Sequence, residues 1–187
     1  MNAMTVAQRM TAQEFLAQGF DGVRSELVGG EVIVHEPRLP HQRVLRDVWR
    51  LLDGWTQAAP RRGEVTFPID VQIDEHNVFG PDLLWYAADR SPSRPDEPPY
   101  PMPDLAVEVR SPSTWRYDIG AKKSGYERGG LPELWLVDTS ADEIIVFRRS
   151  ARTSSSFDVA LELGRGDSLV SPLLPGFTLA LDALFAG

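Results

Sequence analysis

The 187-residue sequence contains no cysteine, so it can form neither a disulfide bond nor a thiolate metal site. It also lacks a run of about 18 apolar residues, which a helix needs in order to cross a membrane. The opening segment up to Met10 has no apolar core of the kind found in signal peptides. These absences predict a cytoplasmic protein that has no membrane partner and whose fold depends on packing alone.

Positive charge is also scarce, because 19 Lys and Arg residues stand against 27 Asp and Glu residues, giving a formal net charge of −8. A protein that coats nucleic acid through its overall field needs concentrated positive charge. Any contact with DNA therefore has to be local. Residues 110–128 hold five positive and two acidic side chains. This segment indicates either a local anion site or an ordinary solvated helix face.

Several catalytic signatures are missing as well. The sequence has no G-x-S-x-G elbow, no P-loop, no dinucleotide fingerprint and no internal repeat. At this length, with 42% hydrophobic residues, the chain can build one well-packed core. Residues 1–187 are therefore predicted to form a single domain.

The apolar pattern predicts a mixture of helices and strands. Thr11 and Glu14 have the spacing of a capping box for a short helix that ends near Gly19. Residues 25–34 predict a hairpin around a Gly-Gly turn, and residues 40–59 predict an amphipathic helix. Further strands are expected at 64–73, 82–86, 105–109, 133–138, 143–149 and 157–163, with a proline-rich surface loop at 91–103 and a helix at 118–128. The order of elements indicates an α/β or α+β fold with a mixed sheet.

Three polar residues in this pattern have the chemistry of a phosphodiester hydrolase. Asp82 begins a predicted strand, Glu108 interrupts an apolar strand, and Lys122 lies on the following helix. Carboxylates suit Mg²⁺ or Mn²⁺, and the backbone carbonyl of Val109 would add a third oxygen ligand. A lysine stabilises negative charge that develops in the transition state. If these groups converge, the sequence predicts a metal-dependent nuclease.

Each of these residues also has a structural interpretation. Glu108 is either a metal ligand or the partner of a nearby arginine such as Arg110, since a central strand rarely buries an unpaired carboxylate. Asp82 is either a ligand or a turn residue. Lys122 either stabilises charge in the catalytic site or forms an i,i+4 ion pair with Asp118.

A family likeness extends from the leading helix to the Leu-Pro-Gly tail at 174–176. The residues that carry it are Pro103 to Val109, Ser-Pro-Ser-Thr at 111–114, Asp118, Lys122, Tyr126 and Pro132 to Asp138. They resemble the Uma2 family, a restriction-endonuclease-like group within the PD-(D/E)XK nuclease superfamily. The resemblance implies a central mixed β-sheet flanked by helices, and a magnesium-dependent endodeoxyribonuclease that acts on DNA.

The resemblance also assigns the catalytic and metal-binding residues. It makes Asp82 and Glu108 the two acids, and it makes Lys122 a lysine that has moved from the strand to the following helix. Arg110 stands at the strand position where the superfamily usually has lysine, and its charge would either contact a phosphate or neutralise Glu108. The likeness further implies a homodimer. Apolar residues near Trp135 or in the C-terminal segment, if exposed, are candidates for the contact.

Four further residues are candidates for supporting roles. Glu31 would be an additional metal ligand or would lie behind one, and His41 would reach a phosphate or a water molecule. Their alternative interpretations are a hairpin carboxylate and a histidine at the start of a helix. Asp118 and Tyr126 would support the three central residues.

Two other functions compete with the nuclease hypothesis. The first is a catalytically silent module that keeps the fold and binds nucleic acid or protein, which the acidic net charge and Arg110 favour. The second is a glycoside hydrolase with two carboxylates, which gives Lys122 no role.

Overall fold

The computed structural model describes residues 9–19, 23–94 and 96–186. The predicted domain 1–187, the opening segment up to Met10 and the proline-rich loop therefore each include positions outside the described residues. The helices are α1 (Ala12–Gln18), α2 (Leu39–Gln57), α3 (Trp115–Tyr117), α4 (Lys123–Arg128) and α5 (Leu181–Leu184), and a π-helical segment (Asp118–Lys122) joins α3 to α4. Within the described residues, no helix combines the length and apolar character that a membrane crossing requires.

The strands form three sheets. They are β1 (Ser25–Val28), β2 (Glu31–Val34), β3 (Glu64–Thr66), β4 (Val71–Asp74), β5 (Asn77–Phe79), β6 (Leu83–Tyr86), β7 (Leu105–Val109), β8 (Glu133–Asp138), β9 (Glu143–Arg148), β10 (Val159–Leu163), β11 (Ser168–Leu169) and β12 (Leu179–Ala180). The sheet orders are β10-β9-β8-β7-β6-β3, β2-β1-β5-β4 and β11-β12. Only β7 and β8 pair in parallel among these strands. The predicted mixed sheet flanked by helices is confirmed.

Local sequence explains the start of the two longer helices. The Thr11 hydroxyl accepts a hydrogen bond from the Glu14 amide, and the Glu14 carboxylate accepts one from the Thr11 amide, which completes the predicted capping box of α1. Helix α2 has Pro40 in its first turn, where the missing amide proton costs nothing. Its apolar side, including Val48 and Leu52, is buried against the large sheet.

Strands β7 and β8 have one apolar core on each face. One face packs against α2 and the C-terminal segment. The other face carries Ala106, Leu134 and Leu136 and packs against Phe79 and Tyr126, which belong to the small sheet and to α4. Because side chains alternate along a strand, Glu108 lies on the same face as Ala106. The parallel pair needs a crossover connection, and residues 115–128 provide it on that face.

Two expectations about the elements are wrong. The predicted strand 64–73 is divided between β3 and β4, which lie in different sheets, since Pro68 lacks the amide proton that a continuous ladder needs. Strand β5 was not predicted at all. It follows a turn at residues 75–76 and pairs with both β4 and β1.

The expected dimer contact at Trp135 is also wrong. Trp135 is fully buried and stacks against Phe177 at a ring-centroid distance of 5.9 Å. The apolar side chains of the C-terminal segment, including Leu181 and Phe185, are likewise buried in the core. These side chains belong to the core of the chain and are not exposed for a contact with a second copy.

Candidate functional site

Glu108 is a buried carboxylate near the end of β7, in a strand whose other residues are all buried and apolar. Its Oε1 atom accepts a hydrogen bond of 2.6 Å from the Tyr126 hydroxyl and lies 2.7 Å from the Lys122 ammonium. Arg110 does not neutralise it, because Arg110 pairs with Asp138 at 2.7 Å. Both groups that contact Glu108 therefore come from the helical crossover and not from Arg110, two residues further along the chain.

Lys122 is completely buried at the end of the π-helical segment. Its ammonium lies 2.7 Å from Glu108, 2.9 Å from Glu26 and 3.2 Å from Asp118. Burial alone would lower the pKa of Lys122, but the three carboxylates raise it well above its ordinary value. The side chain is therefore a permanent cation. The i,i+4 pair with Asp118 exists, but it is one part of a buried cluster and not an isolated surface pair.

Glu26 on β1 is the third carboxylate beside Lys122. Its Oε1 accepts a 2.6 Å hydrogen bond from the Gly80 amide, and its Oε2 lies 2.5 Å from His35 Nε2. Burial raises the pKa of Glu26, but Lys122 and His35 outweigh burial and lower the pKa to about 2. Glu26 is thus ionised at neutral pH.

Asp82 lies directly before β6 and Glu108 lies near the end of β7, each one position beyond the antiparallel pair of Leu83 and Val107. Its Oδ2 accepts a 2.7 Å hydrogen bond from the Val109 amide, and its Oδ1 lies 2.6 Å from Arg24. Burial raises the pKa of Asp82, but His41 and Arg24 lower it below its ordinary range. The two acids singled out in the sequence therefore occupy adjacent positions of neighbouring strands.

His41 bridges the end of β7 and Asp82. Its Nδ1–H donates to the Val109 carbonyl at 3.0 Å, since a carbonyl oxygen can only accept. Its Nε2 lies 3.4 Å from Asp82. Burial lowers the pKa of His41, but Asp82 raises it above its ordinary value. A protonated ring therefore donates at Nδ1 and brings its charge to Asp82, while Nε2 makes no hydrogen bond among the described residues.

The cluster holds more carboxylates than permanent cations. Among the described residues, four buried carboxylates, Glu26, Asp82, Glu108 and Asp118, contact two permanent cations, Lys122 and Arg24, and two histidines, His35 and His41. Burial and the other carboxylates raise the pKa of Glu108 well above its ordinary value, although Lys122 opposes this effect. Burial and the neighbouring Glu26 and Asp82 also raise the pKa of Asp118. Both pKa shifts are in the direction that favours a proton on the Glu108 and Asp118 side of the cluster.

The pKa of Glu26 gives a prediction for stability against pH. A carboxyl whose pKa is lower in the folded state stabilises the fold above its unfolded pKa, and the effect is lost as the pH falls through the folded value. Glu26→Gln should therefore lower the free energy of unfolding by on the order of 2 kcal/mol at pH 7. The difference from wild type should shrink from about pH 4.5 towards pH 2. Urea unfolding at several pH values measures it.

The matched control for this prediction is Glu162→Gln, which changes an exposed glutamate of β10. It should leave the free energy of unfolding within about 0.5 kcal/mol at every pH. A Glu26→Gln deficit that stays constant down to pH 3 would show that the ionised form of Glu26 does not stabilise the fold.

Two of the proposed supporting residues have different surroundings. Tyr126 is fully buried and donates to Glu108, whereas Glu31 is exposed on β2 opposite Val28. Glu26, on the other strand of the same hairpin, is the carboxylate that reaches Lys122. The sequence signal for Glu26 was an acid inside an apolar strand, as for Glu108. No local pattern distinguishes Arg24 or His35.

The donor chemistry around Glu108 fits a hard divalent cation. Asp82 and Glu108 offer carboxylate oxygens and Val109 offers a carbonyl, the ligand types that Mg²⁺ and Mn²⁺ prefer. Asp118 Oδ1 is buried and makes no hydrogen bond among the described residues, although it lies 3.2 Å from the Lys122 ammonium. In the same part of the chain, no three His, Cys, Asp or Glu side chains are arranged as a ready-made metal site. The positive charges of Lys122 and Arg24 pair with these carboxylates.

A cavity of about 230 Å³ adjoins the cluster. Arg24 and Gly80 line it, and the same two residues contact Asp82 and Glu26. Asp70 lines it as well, and burial together with Glu26 raises the pKa of Asp70. The cavity therefore lies on the β1 side of the cluster, and Arg24 and Gly80 stand between it and the buried carboxylates.

Comparisons with known proteins agree with this architecture. A crystal structure described as "a putative nuclease belonging to DUF820" from Anabaena variabilis ATCC 29413 has a similar fold, with a TM-score of 0.78. The two chains are 17% identical, and the match covers 95% of this chain and 98% of that chain. No curated protein matches the sequence. A family model with the description "Uma2: Putative restriction endonuclease" matches residues 12–182. Because this match spans most of the sequence, the chain belongs to the Uma2 family.

Proposed function

We propose that this protein is a divalent-metal-dependent endonuclease that hydrolyses phosphodiester bonds in DNA. The observation that carries the proposal is the convergence of Glu108, Glu26 and Asp118 on the buried ammonium of Lys122, with Asp82 beside the end of β7. The family description and the fold of the structural neighbour support it. A cluster of buried groups with opposed pKa shifts beside a cavity is typical of an active site.

In this proposal Asp82, Glu108 and the Val109 carbonyl hold Mg²⁺ or Mn²⁺. When bound, the ion would neutralise the scissile phosphate and lower the pKa of the attacking water. Lys122 stabilises the negative charge that develops on the phosphate. Tyr126 and His41 are positioning residues, because they fix the Glu108 carboxylate and the Val109 carbonyl by hydrogen bonds. Asp118 and Glu26 keep the ammonium of Lys122 in place.

The opposed pKa directions of Asp82 and Glu108 fit two different tasks. Asp82 is an anion at neutral pH and is ready to bind a cation, whereas Glu108 holds a proton more readily. Metal binding at Glu108 would release that proton, so the affinity for Mg²⁺ should rise with pH. Pairs of carboxyl groups whose environments separate their pKa values are common in acid–base catalysis.

The direct test is cleavage of supercoiled plasmid and of single-stranded and double-stranded oligonucleotides in the presence of Mg²⁺ or Mn²⁺. The proposal expects internal cuts that depend on the metal and that are absent with EDTA. Folded wild-type protein that leaves all of these substrates intact with either metal would overturn it.

The metal itself gives a prediction that does not require turnover. A site filled at about a hundred times its dissociation constant stabilises the folded state by about 2.7 kcal/mol. Adding MgCl₂ or MnCl₂ to the wild-type protein should therefore raise its melting temperature, measured by differential scanning calorimetry. NaCl at equal ionic strength is the control, and an equal rise with NaCl would contradict a specific site.

A catalytically silent module remains the second candidate. Two observations favour it. Lys122 and Arg24 already pair with Glu108 and Asp82, and no ready-made metal site is present among the described residues. Such a module predicts no metal-dependent rise in melting temperature and no cleavage. The titration above therefore separates the two functions.

We further propose one domain and a homodimeric assembly for this chain. Exposed apolar side chains are available at Leu39 and Leu51 of α2 and at Phe67 after β3. These residues replace Trp135 as candidates for the contact. Sedimentation equilibrium should give twice the chain mass, and Leu51→Glu should restore the monomer. A wild-type monomer at all concentrations would contradict the dimer.

A further inference from the structure

A cavity of about 400 Å³ lies between the start of β8, the end of β9 and the loop that follows β9. Four arginines line it, Arg90, Arg148, Arg149 and Arg152, and its described lining includes no aspartate or glutamate. We propose that this arginine-lined cavity binds a nucleotide through its phosphate. The inference does not depend on the proposed nuclease function.

The cavity is separate from the cluster around Lys122. Arg148 pairs with Glu133 at the first residue of β8, whereas Val109, at the other site, pairs with Val137 four residues further along the same strand. A strand rises about 3.3 Å per residue, so the two places are roughly 13 Å apart along β8. They lie at opposite ends of the central sheet.

The charge of the cavity is only partly compensated. Arg90 pairs with Asp104 at 2.7 Å, and Arg148 pairs with Glu133 at 2.7 Å. Arg149 and Arg152 have no carboxylate partner within the part of the chain that the structure describes. Two unmatched guanidinium groups in a chain of net charge −8 concentrate positive charge at this one place.

The guanidinium group of Arg149 is fixed by backbone carbonyls and still has N–H groups free to bind an anion. Its guanidinium donates to the backbone carbonyls of Leu131 (3.0 Å), Glu127 and Ser154, and it stands 5.6 Å from the ring centroid of Phe157. Three of its five N–H groups are used in this way, which leaves two for a ligand. Because carbonyls are neutral, the guanidinium keeps its full charge. A fixed, planar donor pair of this kind suits the oxygens of a phosphate.

Most of the other residues that line the cavity are apolar. They include Pro132, Val159, Pro172 and Leu173. The volume lies within the range of about 300–1,000 Å³ that is typical of ligand pockets. The arginines suit a phosphate, and the apolar residues suit a flat, weakly polar ring. A nucleoside monophosphate combines these two parts. The source is either a free nucleotide or the terminal nucleotide of a DNA strand.

Calorimetric titration in EDTA tests the proposal, because EDTA keeps divalent ions away from the other site. The probes are thymidine 5′-monophosphate, thymidine, and a short oligonucleotide with or without a 5′-phosphate. Thymidine 5′-monophosphate should bind at least about tenfold more tightly than thymidine. Arg152→Gln should weaken that binding by about tenfold, while Arg50→Gln, which removes an exposed arginine of α2, should not change it. Arg152 carries the test because Arg149 also holds three carbonyl groups.

Competition identifies the source of the nucleotide. Displacement of thymidine 5′-monophosphate by the phosphorylated oligonucleotide, lost in Arg152→Gln, supports a strand terminus. Binding of the mononucleotide without such displacement supports a free nucleotide. Equal affinity for thymidine and its monophosphate, no binding of any probe at millimolar concentration, or unchanged binding in Arg152→Gln would overturn the proposal.

Discussion

Replacing Lys122 by methionine should lower the free energy of unfolding by about 3–5 kcal/mol at pH 7, because removing one member of a buried ionic group leaves its partners uncompensated. Lys122 is completely buried between Glu26, Glu108 and Asp118, and methionine keeps most of its volume but none of its charge. Urea unfolding followed by circular dichroism measures the loss. The loss should decrease as the pH is lowered, since the carboxylates can then take up protons.

Lys123 provides the matched control, because it is the adjacent residue and the only other lysine in the sequence. Its ammonium is partly exposed, 3.8 Å from Glu127 and 4.9 Å from the Phe147 ring centroid. Lys123→Met should therefore cost no more than about 1 kcal/mol. Equal losses for the two variants would mean that the carboxylates around Lys122 do not depend on its charge.

The second large effect concerns catalysis and not stability. Glu108→Gln should slow metal-dependent DNA cleavage by at least about 10²-fold, because it removes a proposed ligand. The free energy of unfolding should change by no more than about 1 kcal/mol. The reason is that burial and the neighbouring carboxylates raise the pKa of Glu108, so an uncharged isostere relieves excess negative charge. Glutamine also keeps an oxygen for the Tyr126 hydroxyl.

The measurement combines kcat/KM for plasmid cleavage with urea unfolding of the same preparations. Glu162→Gln makes the same chemical change at an exposed position of β10 and should retain the wild-type rate and stability. Cleavage at the wild-type rate by Glu108→Gln would remove Glu108 from the proposed chemistry. Loss of folding in this variant would instead show that the charge of Glu108 is needed for the structure.

The two variants together separate structure from activity. A buried group of charges is weak evidence for stability, since apolar residues of similar volume often stabilise a core as well or better. The chain nevertheless places four carboxylates and two cations in one buried cluster next to a cavity. Such an arrangement is expected where charge has a chemical task, and the π-helical segment that ends at Lys122 agrees with this, because π-helical turns occur frequently at functional sites.

Much of the fold was predictable because its signals are local. The capping box of Thr11 and Glu14, the Gly-Gly hairpin at 25–34 and the apolar repeat of α2 all act within a few residues. Strand β7 was predictable because its four apolar residues, interrupted only by Glu108, form a short run between turns. The single predicted strand at 64–73 failed, since alternation alone does not show that Pro68 moves its two halves into different sheets.

The sequence determined the candidate chemistry: an acid in an apolar strand at Glu108, an acid after Pro81 at Asp82, and a lysine on the inward side of a helix at Lys122. Only the tertiary structure decided which groups meet them. Glu26 reaches Lys122 across 96 positions of sequence and Arg24 reaches Asp82 across 58. Contacts over such distances depend on how the two sheets and the crossover pack, and neither hydrophobic period nor turn chemistry specifies that packing.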